Sequence, residues 1–348
     1  MANSVFIYGD DITWSLPVAF QYEVVWGTIF NHFKDHEIDL PQINGFGCPN
    51  CMWAGGRVSH IRHQLDREAL RRMFEYFDRI KLTPSYTFSC TQLTYEQIQD
   101  PYANYLLDMS LEFGAHFIVY DDRLKDHIRR KNSNAYIVAS VVKPAIKFQG
   151  PTKEMKPTPE IEAEFYNELL KEYDLVVVRP EFSEKTLLKH PEVIDDISRI
   201  EVLINQPCIH ECPKMPEHYR TLENFRIEDK RNPNPNPGEP FHCIRGTLTP
   251  VQGLNNTLCH SEATVKKLVK HGVKHLKLQG RSNGASPTAL LMQLYTQMFR
   301  SDGPNFLHAS ILSQGSIERE QHYYNEHVLQ MRPNFGGPMA NNVYRKMR

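Results

Sequence analysis

Short apolar or β-branched runs alternate with helical stripes along most of this chain, and that alternation restricts the fold to the α/β classes. Runs of strand length lie near 38–46, 84–90, 116–121, 135–142, 174–180, 200–206, 242–248 and 274–279. Between them, Leu65, Ala69, Met73 and Phe77 recur every four residues, as do Ile161, Phe165 and Leu169. Val265, Leu268 and Val269 form a third stripe, and Leu290, Leu291, Leu294 and Met298 a fourth. Residues at this spacing share one helix face, so each segment can cover a sheet.

Eight strands alternating with helices predict an α/β fold, a (β/α)8 TIM-like barrel over residues 38–303. The rival, an open doubly wound sheet, normally carries a glycine-rich dinucleotide turn, and neither GxGxxG nor GxxxxGK[ST] occurs. Residues 1–37 read as an N-terminal preface and 304–348 as a loosely structured C-terminal extension. The run NPNPNPG, Asn232 to Gly238, reads as a loop because proline joins neither helix interiors nor central strands. A chain of 348 residues buries roughly 75% of its unfolded surface and needs no disulfide to hold a core.

Forty Lys and Arg against 41 Asp and Glu leave a net charge of −1, which argues against coating nucleic acid through bulk electrostatics. No run approaches the ~20 apolar residues that span a bilayer, so no membrane partner is expected. The opening MANSVFIYGDD lacks the basic and apolar regions of a secretory leader, which predicts a cytoplasmic protein. Seven cysteines are an odd number, and in a reducing compartment closely spaced ones point to metal ligands or redox groups.

In a barrel, reactive groups gather at the carboxyl ends of the strands, and most cysteines fall near such ends. The strongest signal is NQPCIHECP, in which Cys208 and Cys212 can present two thiolates to one metal, with His218 six residues on. Thiolates suit zinc or an iron–sulfur cluster. A radical-SAM pattern would need a cysteine where Met215 stands. Cys48-Pro49-Asn50-Cys51 has the Cys-x2-Cys spacing of zinc sites and redox pairs. A structural zinc clamping the two loops would use both pairs without catalysis. Cys90 and Cys259 read as packing.

Lys277, Gln279, Gly280 and Arg281 leave the last strand, where such barrels often bind phosphate; an exposed loop arginine is an equal reading. Trp53 to Arg57 is either a turn presenting an aromatic plate and a cation or a glycine turn with Trp53 in the core. His60, His210 and His218 have the chemistry to move protons or bind metal. GxSxG and HExxH are absent.

Three segments carry a resemblance. RIEVLINQPCIHECPKMPEHY is similar to the strand-then-cysteine segment of the collagenase-like peptidases of family U32 and their relatives. GVKHLKLQGRS resembles the lysine/glycine-arginine strand that ends those catalytic domains, and FHCIRGTLTP the strand before it. The likeness keeps order and spacing over about residues 80–300. It implies a TIM-like barrel holding an oxygen-sensitive [4Fe–4S] cluster. Several members take part in oxygen-independent hydroxylation of quinone precursors or of RNA bases, with prephenate as oxygen donor in the RNA case. Carried over by position, Cys208, Cys212 and Cys243 are cluster ligands, with Cys51 or Cys48 as the fourth and Cys90 in reserve. The compact length would suit a divergent, phage-type branch.

The resemblance therefore implies an iron–sulfur barrel enzyme modifying a nucleic-acid base or small aromatic molecule, most concretely by hydroxylation without O2. Arg245, Lys277 and Arg281 would hold anionic groups, while Asn205 and His218 would orient or protonate. The alternative is a non-catalytic, zinc-stabilised barrel that binds a nucleic acid or a partner protein. A peptidase ranks below both, because it needs a nucleophile or a water-activating metal.

Overall fold

The computed structural model describes residues 6–17, 19–20, 23–35, 37, 39–49, 51–55, 65–149, 157–228, 257–279, 298, 319–320 and 322–329. Ten strands in chain order are β1 Thr13–Leu16, β2 Ile43–Gly47, β3 Leu82–Phe88, β4 His116–Val119, β5 Ile137–Ala139, β6 Leu175–Val177, β7 Ile200–Leu203, β8 Asn205–Ile209, β9 Thr257–Cys259 and β10 His275–Lys277. Eight of them are parallel and close into a ring in the order β1-β10-β7-β6-β5-β4-β3-β2. With helices between the strands, this is the expected (β/α)8 TIM-like barrel. β8 and β9 form a separate antiparallel pair.

Ring membership departs from the sequence reading at one strand. β1 lies inside the stretch read as a preface, and it seals the ring by pairing Thr13 with His275 and Trp14 with Ile43. The run at 242–248 lies outside the described residues, and the ring closes without it. β1 is only four residues long and follows Asp10 and Asp11, so it offers little apolar signal. Its Trp14 and Leu16 are nonetheless fully buried.

Local chemistry starts and stops the surrounding helices. Asp66 accepts from the Ala69 N–H at 2.7 Å to open Arg67–Arg79. Asp100 and Thr158 each precede a proline in the first turn, of Pro101–Glu112 and Pro159–Glu172; that position needs no amide donor. Ser261 caps Glu262–Lys270, which ends at His271 before Gly272 with φ +110°, a backbone that favours glycine.

Strand alternation sorts the apolar groups into two bodies. Outward residues such as Leu16, Ile43, Phe88, Phe117, Ile137, Val176, Val202 and Leu276 pack under the helices in the main core. Phe46, Ile118, Val138, Leu175, Val177 and Leu203 form their own cluster inside the ring. Polar residues complete that interior: Lys277 bonds Glu201 at 2.7 Å and lies 4.4 Å from the Phe46 ring, and His116 stacks on Tyr136.

Not all stripes face inward as read. The helix Pro159–Glu172 buries Glu162, Ala163, Tyr166 and Leu170, leaving Ile161, Phe165 and Leu169 half-buried. The shift follows Arg179, which draws Glu162 inward through bonds of 3.0 and 2.6 Å.

Part of the stretch read as a loose C-terminal extension is docked. Glu320 bonds Tyr76 at 2.9 Å and Arg79 at 2.6 Å, and Tyr324 and Val328 are buried. Gly27 makes this approach feasible, because a Cβ there would collide with Tyr76 Oη and Glu320 Oε1. Among the described residues, no helix is long and apolar enough to cross a membrane.

Candidate active site at the barrel mouth

The carboxyl ends of the ring strands enclose a cavity. Phe46 of β2, Thr87 of β3, Ile118 of β4, Val177 of β6 and Lys277 of β10 line it, with Ser89, Ser140, Gln279 and Gly55 at the rim. Tyr219, from the helix Met215–Glu228, reaches it from above. The walls are two aromatic rings and aliphatic groups, with four hydroxyls, one amide and one ammonium among them. Apolar walls with a few convergent polar groups are the usual make-up of a small-molecule site.

Lys277 lies on the cavity wall, as the strand-end reading expects. Its charge is already matched by Glu201, which is fully buried. It therefore offers a ligand a hydrogen-bond donor with its charge balanced, rather than a bare cation. The sequence reading passed over Glu201, although IEVL and HLK each put one charged residue on the interior face of an otherwise apolar strand.

Asn205 has a different role from the one expected. Its amide donates to the Gln279 carbonyl at 3.1 Å and accepts from the Gln279 N–H at 2.7 Å. Both ends are engaged with backbone, so Asn205 clasps the top of β7 to the exit of β10 and positions the rim. His218 sits beside Tyr219 in the first turn of the helix, but Tyr219 is the one on the cavity wall. His210 bonds Glu184 at 2.8 Å on the surface. Arg245, Arg281, Cys243 and His60 lie outside the described residues.

Cys208 is the penultimate residue of β8, and Cys212 lies in the turn that follows. Both pack with Ala145, Met215 and Tyr219 in one small cluster. Glu211 between them has φ +50°, a left-handed backbone that a non-glycine residue adopts at a cost. It is held there by Glu181, whose carboxylate accepts the Glu211 N–H at 2.8 Å. Glu181 is buried just beyond β6. Behind it, burial pushes the Glu162 carboxyl up, and Arg179 opposes that shift.

Cys48 and Cys51 lie elsewhere. Their sulfurs are 3.8 Å apart and both residues belong to the main core, whereas Cys208 and Cys212 belong to the small cluster with Ala145 and Met215. Among the described residues, no three His, Cys, Asp or Glu side chains gather as a metal-ligand set. Cys90 is buried against Glu223, 3.8 Å from its carboxylate. Trp53 follows the core reading: it is fully buried and donates to the Gln97 carbonyl at 2.8 Å.

Glu223 was not singled out by sequence. Buried on the helix that carries Tyr219, it accepts from the Thr91 N–H at 2.8 Å, the Thr91 hydroxyl at 2.9 Å and Gln92 at 3.3 Å. These bonds fasten the helix over the mouth to the loop after β3. At the end of β5, burial lowers Lys143 from its usual value while a 2.9 Å bond to Asp122 opposes the change.

No protein-family model matches the chain, and no curated protein matches it. Among solved structures, a U32 peptidase is similar at a TM-score of 0.44 and 12% identity, over 77% of this chain and 92% of that one. The carboxyl transferase domain of Rhizobium etli pyruvate carboxylase, solved with pyruvate and biocytin, is similar at a TM-score of 0.38 and 10% identity. That likeness covers 97% of this chain and 51% of the other.

A Ser–His contact bears on hydrolysis. Ser183 Oγ and His260 Nε2 are 3.1 Å apart, and the same hydroxyl donates to the Pro180 carbonyl at 2.7 Å. A general base would have to accept the serine proton at Nε2. Both residues are also buried, and burial lowers the His260 pKa.

Proposed function

We propose that the chain is a barrel enzyme that modifies a small aromatic molecule or a nucleic-acid base at the strand-end cavity, with an iron–sulfur cluster held by Cys208, Cys212 and Cys243. The observation that carries this reading is the double membership of Tyr219, which packs with Cys208 and Cys212 and also lines the cavity with Lys277. Chemistry at the two thiols would therefore adjoin a bound ligand. The donor set fits as far as it is described: two soft sulfurs, one half-buried and one buried, on a loop that Glu181 locks.

Cys208, Cys212 and Cys243 would hold the cluster, which would supply an iron site for an oxygen donor or a path for electrons. The chain's own residues do the rest. Phe46 and Tyr219 bracket a planar ring, and Thr87, Ser89 and Ser140 offer hydroxyls to its polar edge. Lys277 donates to an oxygen developing negative charge, and Glu201 keeps that lysine in place. The helix Met215–Glu228 covers the mouth and keeps water out. Hydroxylation without O2 is the specific reaction proposed.

Anaerobic purification tests this. The expected product is brown, with about four irons and four sulfides per chain, and Cys208→Ser loses both while staying folded. Colourless protein with stoichiometric zinc overturns the cluster and favours the structural-zinc barrel, for which Cys208→Ser unfolds the chain. Mass comparison of nucleosides from cells with and without the protein then separates a base substrate from a free aromatic one.

A further inference from the structure

The Cys-x2-Cys pair after β2 is left outside the proposed cluster, and its geometry suits a separate chemistry. We propose that Cys48 and Cys51 are a redox-active dithiol that a low-molecular-weight disulfide, such as oxidised glutathione, converts to a Cys48–Cys51 disulfide. Their sulfurs face each other at 3.8 Å, and an S–S bond of about 2.05 Å needs them to close by less than about 2 Å. The two-residue spacer is the one used by thiol–disulfide oxidoreductases.

Burial assigns the order of events. Cys51 keeps 6% of its surface exposed, and Cys48 keeps none. The Cys51 thiolate attacks one sulfur of the oxidant, forming a mixed disulfide and releasing one thiolate. The Cys48 thiolate then attacks the Cys51 sulfur, forming the internal bond and releasing the second thiolate. The two protons lost by the cysteines go to the two released thiolates, and the two electrons reduce the oxidant to two thiols. Exchange proceeds in this stepwise way wherever a resolving thiol lies within reach.

The pair is linked to the proposed site by chain continuity. Ala54 donates back to the Cys51 carbonyl at 3.2 Å, the Trp53 carbonyl accepts from the Cys90 N–H at 3.2 Å, and Gly55 lies on the cavity wall. A cross-link at 48–51 would thus tether the start of the segment that ends at Gly55 on the cavity wall.

The test uses the full-length protein, anaerobically purified, exposed to oxidised glutathione, alkylated under denaturing conditions and mapped by peptide mass spectrometry. The expected result is an internal 48–51 disulfide that dithiothreitol reverses. Cys48→Ser should stop at a stable glutathione adduct on Cys51, and Cys51→Ser should leave Cys48 unmodified. The proposal is overturned if both thiols remain alkylatable in the wild type, if either pairs with another cysteine, or if a bound metal protects them until it is chelated. Iron content is measured on the same samples, and Cys208 and Cys212 fall on other peptides, so loss of the cluster reading leaves this outcome legible.

Discussion

Glu223 accepts both the backbone N–H and the hydroxyl of Thr91, so a buried carboxylate on one side of the barrel mouth is bound to the loop on the other. Hydrogen bonds to a charged group contribute about 1.5–3 kcal/mol each. Glu223→Ala should therefore cost about 3 kcal/mol in urea unfolding and speed amide exchange along 215–228. Thr91→Val, which keeps the N–H bond, should cost about 1 kcal/mol.

The Lys277–Glu201 pair inside the ring predicts a non-additive pattern. Removing one partner of a buried ion pair costs about 3–5 kcal/mol because the other charge is stranded. Lys277→Met alone should show a loss of that size. Adding Glu201→Leu should recover most of it, since two apolar groups of similar volume replace the pair. Equal losses in the single and double variants would show that Glu201 is not charged in the fold.

His116 predicts an acid sensitivity. Burial pulls its pKa down from 6.5 to about 4, opposed by Asp174 and Glu201. The folded form therefore binds a proton less readily than the unfolded chain. Stability is full above pH 6.5 and falls as pH drops through about 4, with the loss approaching about 3 kcal/mol for this group. His260 and His275 shift in the same direction through burial, which steepens the fall. His116→Gln should flatten the curve in urea titrations between pH 7.5 and 4.5.

Gly27→Ala should release the docked C-terminal segment. The added methyl meets Tyr76 Oη and the Glu320 carboxylate, and overpacking of this kind costs about 1–3 kcal/mol. Amide exchange at 322–329 should quicken more than exchange in the barrel strands.

The barrel was legible because seven of its strands are apolar runs whose positions the pattern reveals to within a few residues. The eighth, β1, was not, because four residues after two aspartates carry too little periodicity to stand out. The cavity wall was visible at Lys277 through its place at the end of a strand. Its partner Glu201 was hidden in plain view: interior polar residues are found only by comparing the parity of charged positions between neighbouring strands, and neighbours are unknown until the ring closes. Glu181 and Glu223 act through long-range contacts to Glu211 and Thr91, which no local motif records. Cys208 and Cys212, close in sequence, also share one small cluster, and spacing could not show that Cys48 and Cys51 pack in a different one.

The seam between β1 and β10 sets a condition on the birth of the molecule. A ribosome delivers Thr13–Leu16 before any other ring strand and His275–Lys277 after all of them. Until then the first strand has an open side, and unpaired strand edges invite foreign pairing. Long-range parallel pairing of this kind is slow. The nascent chain thus carries one sticky flank from the appearance of the first ring strand until the last one is made.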